Sequence, residues 1–265
     1  MSDSIKTEQH DSVLLVTIDA ADKMNALDFA ANDQLIEVWR EFEADDAQRI
    51  AVITGAGNKA FCSGADLKTY TMAYAQRSAG QFRSQYTNGL GIGGITRGME
   101  IYKPIIAAIN GFAVSGGLEI ALAADIRMCS PNAEFGHQDV RWGFHPCDGG
   151  CVRLPLIVGL GNAMEMILSG DRIDAEHALR IGLVNRIVPQ DNLLEEAMSY
   201  AARLAQRAPL GQRYAKEVML RAVGMRLDDS LRLESRSFYD ISSTKDLAEG
   251  TAAFREKRPP RFSGS

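Results

Sequence analysis

Two glycine-rich stretches carry the residue types closest to chemistry. Residues 52–67 read VITGAGNKAFCSGADL, and residues 111–125 read GFAVSGGLEIALAAD. The first contains a loose G-x-G-x-x-A pattern, Gly55 to Ala60, after an apolar strand-like run. A dinucleotide site would need that turn to open directly into a helix, with an acid about 20 residues further on. Here the chain continues into Phe-Cys-Ser-Gly-Ala-Asp, residue 80 is Gly, and no Tyr-x-x-x-Lys pair exists. The other chemistry uses both stretches together. Small residues at Gly64-Ala65-Asp66 and Ser115-Gly116-Gly117 let a ligand approach the main chain closely. The peptide N–H groups of Ala65 and Gly116 can then converge on one carbonyl oxygen. Gly116 opens a helix, where the dipole favours negative charge. Such an oxyanion site contributes about 10²–10³ in rate per donor. Glu119 follows Gly116 by three residues, so one helical turn carries it towards the same point. Packing alone also explains each turn, and a carboxylate in a first helical turn also suits the dipole.

The elements that must hold these residues are readable from patterning. Val13 to Ile18 and Arg49 to Thr54 are strand-like, as are Ile105 to Ile109 and Asp125 to Cys129; AEFGHQD suggests a further short strand. Asp28 can cap a helix carrying Ala31, Leu35, Trp39 and Phe42 on one face. Phe82, Tyr86 and Leu90 suggest another helix. From about Asp191 strand signals stop and helical patterns run to the end. The expected organisation is a layered α/β core over residues 1–190 and a helical region over 191–265. Strand-turn-helix units recur without exact repetition, compatible with a spiral of similar units.

Bulk properties narrow the function classes. The 265 residues are 46% hydrophobic and 24% charged, with a net charge of −5, ordinary values for a globular chain. No Lys/Arg block suggests a nucleic-acid face. The longest apolar stretch, Pro104 to Ile126, is interrupted by Asn110, Glu119 and Asp125 and reads as core, so no membrane span is expected. The polar start is unlike a signal peptide. Four cysteines make no disulfide framework, and a reducing cytoplasmic setting fits.

Taken as a set, GNKAFCSGADL, PIIAAINGFAVSGGLEIALAADIRM, VNRIVP and EGTAAFREKRPPRFSG resemble the signature segments of the enoyl-CoA hydratase/isomerase (crotonase) family. The likeness runs from about Val13 to Gly264. It implies a crotonase-like spiral of strand-strand-helix units with a C-terminal helical trimerisation region, and acyl-CoA substrates. It also implies a thioester oxyanion held by the N–H groups of Ala65 and Gly116. Glu119 matches one of two water-handling glutamates. The second position falls on Asp139, a departure, because Asp is shorter by about 1.5 Å. A misplacement near 1 Å costs about 10²-fold unless something compensates. A second departure is Pro146-Cys147-Asp148-Gly149-Gly150, which brings a third carboxylate to the expected pocket. Asp148 is either an additional acid or a cap for the helix beginning near Gly149, capping being the commoner role.

The resemblance also lays a coenzyme A path along Lys23, Met24 and Ala26, then Asp66, Leu67 and Lys68. Phe254 and Lys257 would come from a neighbouring subunit of a homotrimer or dimer of trimers. The region from Lys68 to Ile101, with Tyr70, Met72, Tyr74, Phe82 and Tyr86, is expected to shape the acyl pocket. No metal, flavin or nicotinamide is required, coenzyme A entering with the substrate. His137, His145, Cys147 and Cys151 are ligand types, but their spacing fits no familiar zinc pattern, so pocket-lining and core roles are expected. A histidine beside a carboxylate can still tune it. The expected reaction is hydration of a trans-2-enoyl-CoA. Double-bond isomerisation, thioester hydrolysis and non-catalytic acyl-CoA binding compete with it. The acyl chain and pathway stay open between fatty-acid, amino-acid and aromatic degradation.

Overall fold

A computed structural model describes residues 4–265, with the side chains of residues 71, 74, 75 and 85–88 outside the description. Tyr74 and Tyr86 therefore lie outside the described residues as pocket walls. The chain begins with β1 (Ile5–His10) and β2 (Val13–Ile18), an antiparallel pair. Helix α1 (Phe29–Ala44) follows, capped by Asp28, whose side chain accepts the Ala31 N–H at 2.9 Å. Its buried face is Ala31, Leu35, Trp39 and Phe42, the set that the 3.6-residue period selects.

Three strand-strand-helix turns come next. The first is β3 (Ile50–Gly55) and β4 (Ala60–Cys62), leading into α2 (Leu67–Ala75) and α3 (Ala79–Asn88). The second is β5 (Ile105–Ile109), β6 (Phe112–Val114) and α4 (Gly116–Ala123). The third is β7 (Ile126–Cys129), β8 (Glu134–Gly136) and α5 (Gly150–Val158), followed by α6 (Leu160–Ser169). Two-residue strands β9 (Ile173–Asp174) and β10 (Arg186–Ile187) flank α7 (Ala175–Arg180). Each turn gives its first strand to a six-stranded sheet, ordered β1-β2-β3-β5-β7-β10. Its second strand goes to a four-stranded sheet, ordered β4-β6-β8-β9. From β2 to β10 the large sheet is parallel, and β3 and β5 are buried throughout, as sheets covered on both faces require. This is the expected spiral.

Four helices close the chain: α8 (Leu193–Ala205), α9 (Pro209–Arg221), α10 (Leu227–Ser242) and α11 (Lys245–Glu256). Leu193, Ala197, Ala201 and Ala205 of α8 form a core with Val13, Leu15, Ile50, Val52 and Ile106. The second core is thus built across the composition change near residue 190. By contrast α10 has no buried residue. Among the described residues, no helix is long and apolar enough to cross a membrane.

Candidate active site

The two glycine turns meet. A Cβ placed on Gly64 would stand 2.8 Å from the Gly116 nitrogen, and one on Gly116 would stand 3.5 Å from the Ala65 nitrogen. Gly117 lies closer still, its absent Cβ pointing 1.9 Å from the Cys62 carbonyl oxygen. Glycine is required here by approach distance, and at Gly64 also by its φ of +90°. Ser115 precedes the helix with φ 49° and ψ −123°, a conformation that a non-glycine residue adopts at a cost of about 1–3 kcal/mol. It is held by its N–H donating to the Gly136 carbonyl at 2.9 Å, while its own carbonyl accepts the Glu119 N–H. Among the described residues, neither the Ala65 nor the Gly116 N–H finds a hydrogen-bond partner.

The GAGNKA loop is occupied by the chain itself. The Asn110 side-chain amide donates to the carbonyls of Gly55 and Gly57, and that of Asn25 donates to those of Ala56 and Ala60. The loop leads into β4 rather than a helix, which removes the dinucleotide geometry. Asn25 and its neighbour Met24 both have φ 56°. Their segment zips along the first turn: the Ser63 N–H donates to Met24, the Leu27 N–H to Gly64 and the Asp66 N–H to Leu27. Lys23, Met24 and Ala26 are thereby brought beside Ala65 and Asp66. Asp66 opens α2, its carboxylate accepting the Lys68 N–H at 2.9 Å. Lys23 is paired with Asp28 at 3.7 Å. Phe254 and Lys257 are different. Phe254 is 85% exposed, and among the described residues no hydrogen bond or ion pair ties either side chain to this path.

Glu119, Asp139 and Asp148 are all buried, and the two aspartates are close enough for their charge to act on Glu119. Glu119 Oε1 accepts two main-chain bonds, from Asp148 N–H at 2.6 Å and Gly150 N–H at 2.9 Å. Burial nonetheless dominates, and with the charges of Asp148 and Asp139 it pushes the carboxyl up to about 8. With Oε1 doubly engaged, a proton carried by Glu119 sits on Oε2. Asp139 stands in a 3₁₀ turn over Gln138–Trp142, directly after β8.

Asp148 does not cap α5. The cap position is Gly149, without a side-chain bond. Asp148 instead accepts from Arg97 Nε at 2.9 Å, and its main-chain carbonyl accepts from Arg153. Its nearest functional effect is through its own N–H on Glu119. Arg97 had no local signal in the sequence, since 51 residues separate the pair. Of the four ligand-type residues, His137 is fully buried beside Asp139, and His145 Nδ1 engages the Pro146 carbonyl. Cys147 donates to Asp148 and Cys151 to Pro146. Burial and the charge of Asp148 push the Cys147 thiol far up, so it stays neutral. Among the described residues, no three His, Cys, Asp or Glu side chains form a metal-binding group.

The fold and this site define a class: an α/β spiral in which two glycine turns meet, each with a peptide N–H that has no partner among the described residues, and in which three acids are buried. The sequence profile of the enoyl-CoA hydratase/isomerase family matches residues 8–265. The (E)-benzylidenesuccinyl-CoA hydratase of Thauera aromatica is 38% identical over 266 residues, covering 98% of this chain and 99% of its own. The carnitinyl-CoA dehydratase of Escherichia coli K12 is 37% identical over 268 residues, with 100% of both chains covered. Among solved structures, an enoyl-CoA hydratase from Bacillus anthracis superposes with a TM-score of 0.89 at 33% identity, covering 99% of this chain and 100% of its own. One from Mycobacterium tuberculosis gives 0.90 at 30% identity, covering 100% of both. The chain belongs to the enoyl-CoA hydratase/isomerase family, and it is a hydratase-like lyase.

Proposed function

We propose that the enzyme adds water across the 2,3 double bond of a trans-2-enoyl-CoA. The observation that carries this is the pair of partnerless N–H groups, Ala65 and Gly116, beside a buried Glu119 that keeps its proton near neutral pH. The thioester oxygen accepts from both N–H groups, which stabilise the enolate-like charge as it develops. Asp139 takes a proton from water as its oxygen bonds to C3. The π electrons move into the enolate, and Glu119 Oε2 delivers a proton to C2. Glu119 then stands ionised and Asp139 protonated, and exchange with solvent restores both. Proton transfers of this kind contribute about 10²–10⁴ in rate.

The zipped segment of Lys23, Met24 and Ala26 with Asp66, Leu67 and Lys68 forms the coenzyme A path. Lys23 acts as a point charge for phosphate. The working form is a homotrimer or dimer of trimers in which a neighbour supplies Phe254 and Lys257. The exposure of Leu227, Phe238, Tyr239 and Phe254 on α10 and α11 supports this. No cofactor is needed beyond the coenzyme A that the substrate carries. Four free cysteines fit a cytoplasmic setting. The helical region 191–265 acts as the assembly unit beside the spiral core 1–190.

The test is loss of conjugated-thioester absorbance with crotonyl-CoA and with a longer or aryl-substituted enoyl-CoA, in wild type, Glu119→Gln and Asp139→Asn. Hydration that collapses in both variants is expected. Binding of the thioester without hydration would overturn the reading, and product analysis and free-CoA release would then separate isomerase from hydrolase.

A further inference from the structure

The shorter acid at position 139 raises a question of reach, and the residue two places before it has an unusual environment. His137 is 0% exposed and Asp139 6%, with Nδ1 and Oδ2 3.5 Å apart. Among the described residues, His137 Nδ1, His137 Nε2 and Asp139 Oδ2 all lack a hydrogen-bond partner. Leaving one buried polar atom unpaired costs about 1–3 kcal/mol. Three such atoms in one contact need a reason.

The surroundings supply one. A Cβ on Gly150 would stand 2.6 Å from His137 Cε1 and 2.7 Å from Nε2, so the imidazole presses on the residue whose N–H holds Glu119 Oε1 at 2.9 Å. The carbonyl of Gly136, the residue before it in the chain, holds Ser115 N–H at 2.9 Å. Ser115 sets the direction of the Gly116 N–H. The ring thus stands between Asp139 and the turn that holds Glu119, one residue along the chain from the carbonyl that holds Ser115. A simple core role would favour an apolar side chain of this volume, which would leave nothing unpaired.

We propose that His137 is a positioning residue for Asp139: Nδ1–H donates to Oδ2 in the substrate complex and fixes the short carboxylate against the attacking water. Hydrogen bonds in active sites are often long in the free enzyme and tighten when substrate is bound. A carboxylate held by a charge-assisted bond has one orientation rather than several. The imidazole behind it then does what the extra methylene of a glutamate would do. This inference rests on the hydration reading above.

The experiment is steady-state hydration of crotonyl-CoA and an aryl-substituted enoyl-CoA by His137→Leu, His137→Asn and His137→Gln, with thermal melting of each. An Asn amide nitrogen stands where Nδ1 was, and a Gln amide stands where Nε2 was. His137→Leu should lower kcat about 10–100-fold, with KM within about threefold of wild type and melting temperature unchanged or raised, because unpaired atoms are removed. His137→Asn should retain most of the rate and His137→Gln should not. In an Asp139→Asn background, His137→Leu should add little further loss, as for residues acting as a unit. A wild-type kcat in the Leu variant overturns the proposal. So does equal loss in Asn and Gln, an undiminished Leu effect in the Asp139→Asn background, or failure of all three variants to fold. If wild type hydrates neither probe, the hydration reading falls. The Nδ1–Oδ2 distance in a crystal structure of the wild-type complex with a bound acyl-CoA then decides the role of His137 separately: shortening from 3.5 Å to hydrogen-bond length supports it, and an unchanged or longer distance overturns it.

Discussion

The two halves of the site are built by opposite means. The oxyanion half is main chain, held by the bonds from Leu27 to Gly64, Asp66 to Leu27 and Ser115 to Gly136 and by glycines without room for a methyl group. The acid half is side chain: Glu119 with a raised pKa, Asp148 tied to Arg97, and Asp139 with an unpaired oxygen beside an unpaired imidazole. The first half is over-determined and the second is under-satisfied. Fixed dipoles need rigidity, because they work by not reorganising. Acids need a tunable environment, because their protonation is the reagent. Geometry in one half and energy in the other are therefore the quantities to perturb.

The largest effect should come from the acid half. Glu119→Gln keeps the shape and the acceptor for Asp148 and Gly150 but carries no transferable proton, so kcat should fall about 10²–10⁴-fold in the absorbance assay. The next largest should come from the main chain. Gly64→Ala forces a Cβ to 2.8 Å from the Gly116 nitrogen at a φ of +90°, and displacing one donor should lower kcat about 10²–10³-fold. Were Gly64→Ala to leave kcat intact, the contrast between the halves would be broken.

Titration sharpens the contrast further. Below about 8 Glu119 holds its proton, so kcat should be flat there on this limb and fall about tenfold per pH unit above it. The sign for stability follows from the same shift. The unfolded chain releases this proton near 4.5 and the folded chain near 8, so the unfolded state binds fewer protons in between. Folding stability contributed by this group therefore declines as pH rises from about 4.5 to about 8 and is level beyond. Glu119→Gln should remove that decline in urea titrations across the window.

Two smaller effects complete the series. Asp148→Asn retains the main-chain N–H on Glu119 but removes the charge that pairs with Arg97 and helps to raise Glu119, so kcat should change less than about tenfold. A loss as large as that of Glu119→Gln would make Asp148 a reacting acid. Asp174 caps α7 by accepting the His177 N–H at 2.8 Å, outside both halves. Asp174→Ala should cost about 1 kcal/mol of stability with kcat unchanged.

What the sequence made legible divides along the same line. Short apolar, β-branched runs exposed β2 and β5, whose observed bounds equal the expected ones, and helical periodicity exposed the cap and buried face of α1. The glycine turns were legible because only small residues tolerate such approach. Strand β1 was not, because the sequence reads as a polar terminus. It is an edge strand with Ile5 as its one buried residue, so it lacks the alternation that marks a half-buried strand. Strands β4, β6 and β8 have three residues each, too few to establish a period; of these only β8 left a signal, in AEFGHQD. The acid half was partly legible: its carboxylates were found through family resemblance. The core role expected of His137 is met by its burial, whereas the pairing of Asp148 with Arg97 arises from tertiary packing alone. A local rule favoured Asp148 as a helix cap, and the ion pair across 51 residues prevailed.

The unpaired N–H groups of Ala65 and Gly116 have a last consequence, for heredity. Peptide groups are common to every residue except proline, which lacks the N–H. An oxygen-binding element written in them survives exchange of the carboxylates that face it. In the proposed reading, a lineage built on this scaffold can therefore rewrite what happens to a thioester while the element that grips it passes unchanged from ancestor to descendant. The narrow targets through which that grip is lost are the crowded glycines, Gly64, Gly116 and Gly117.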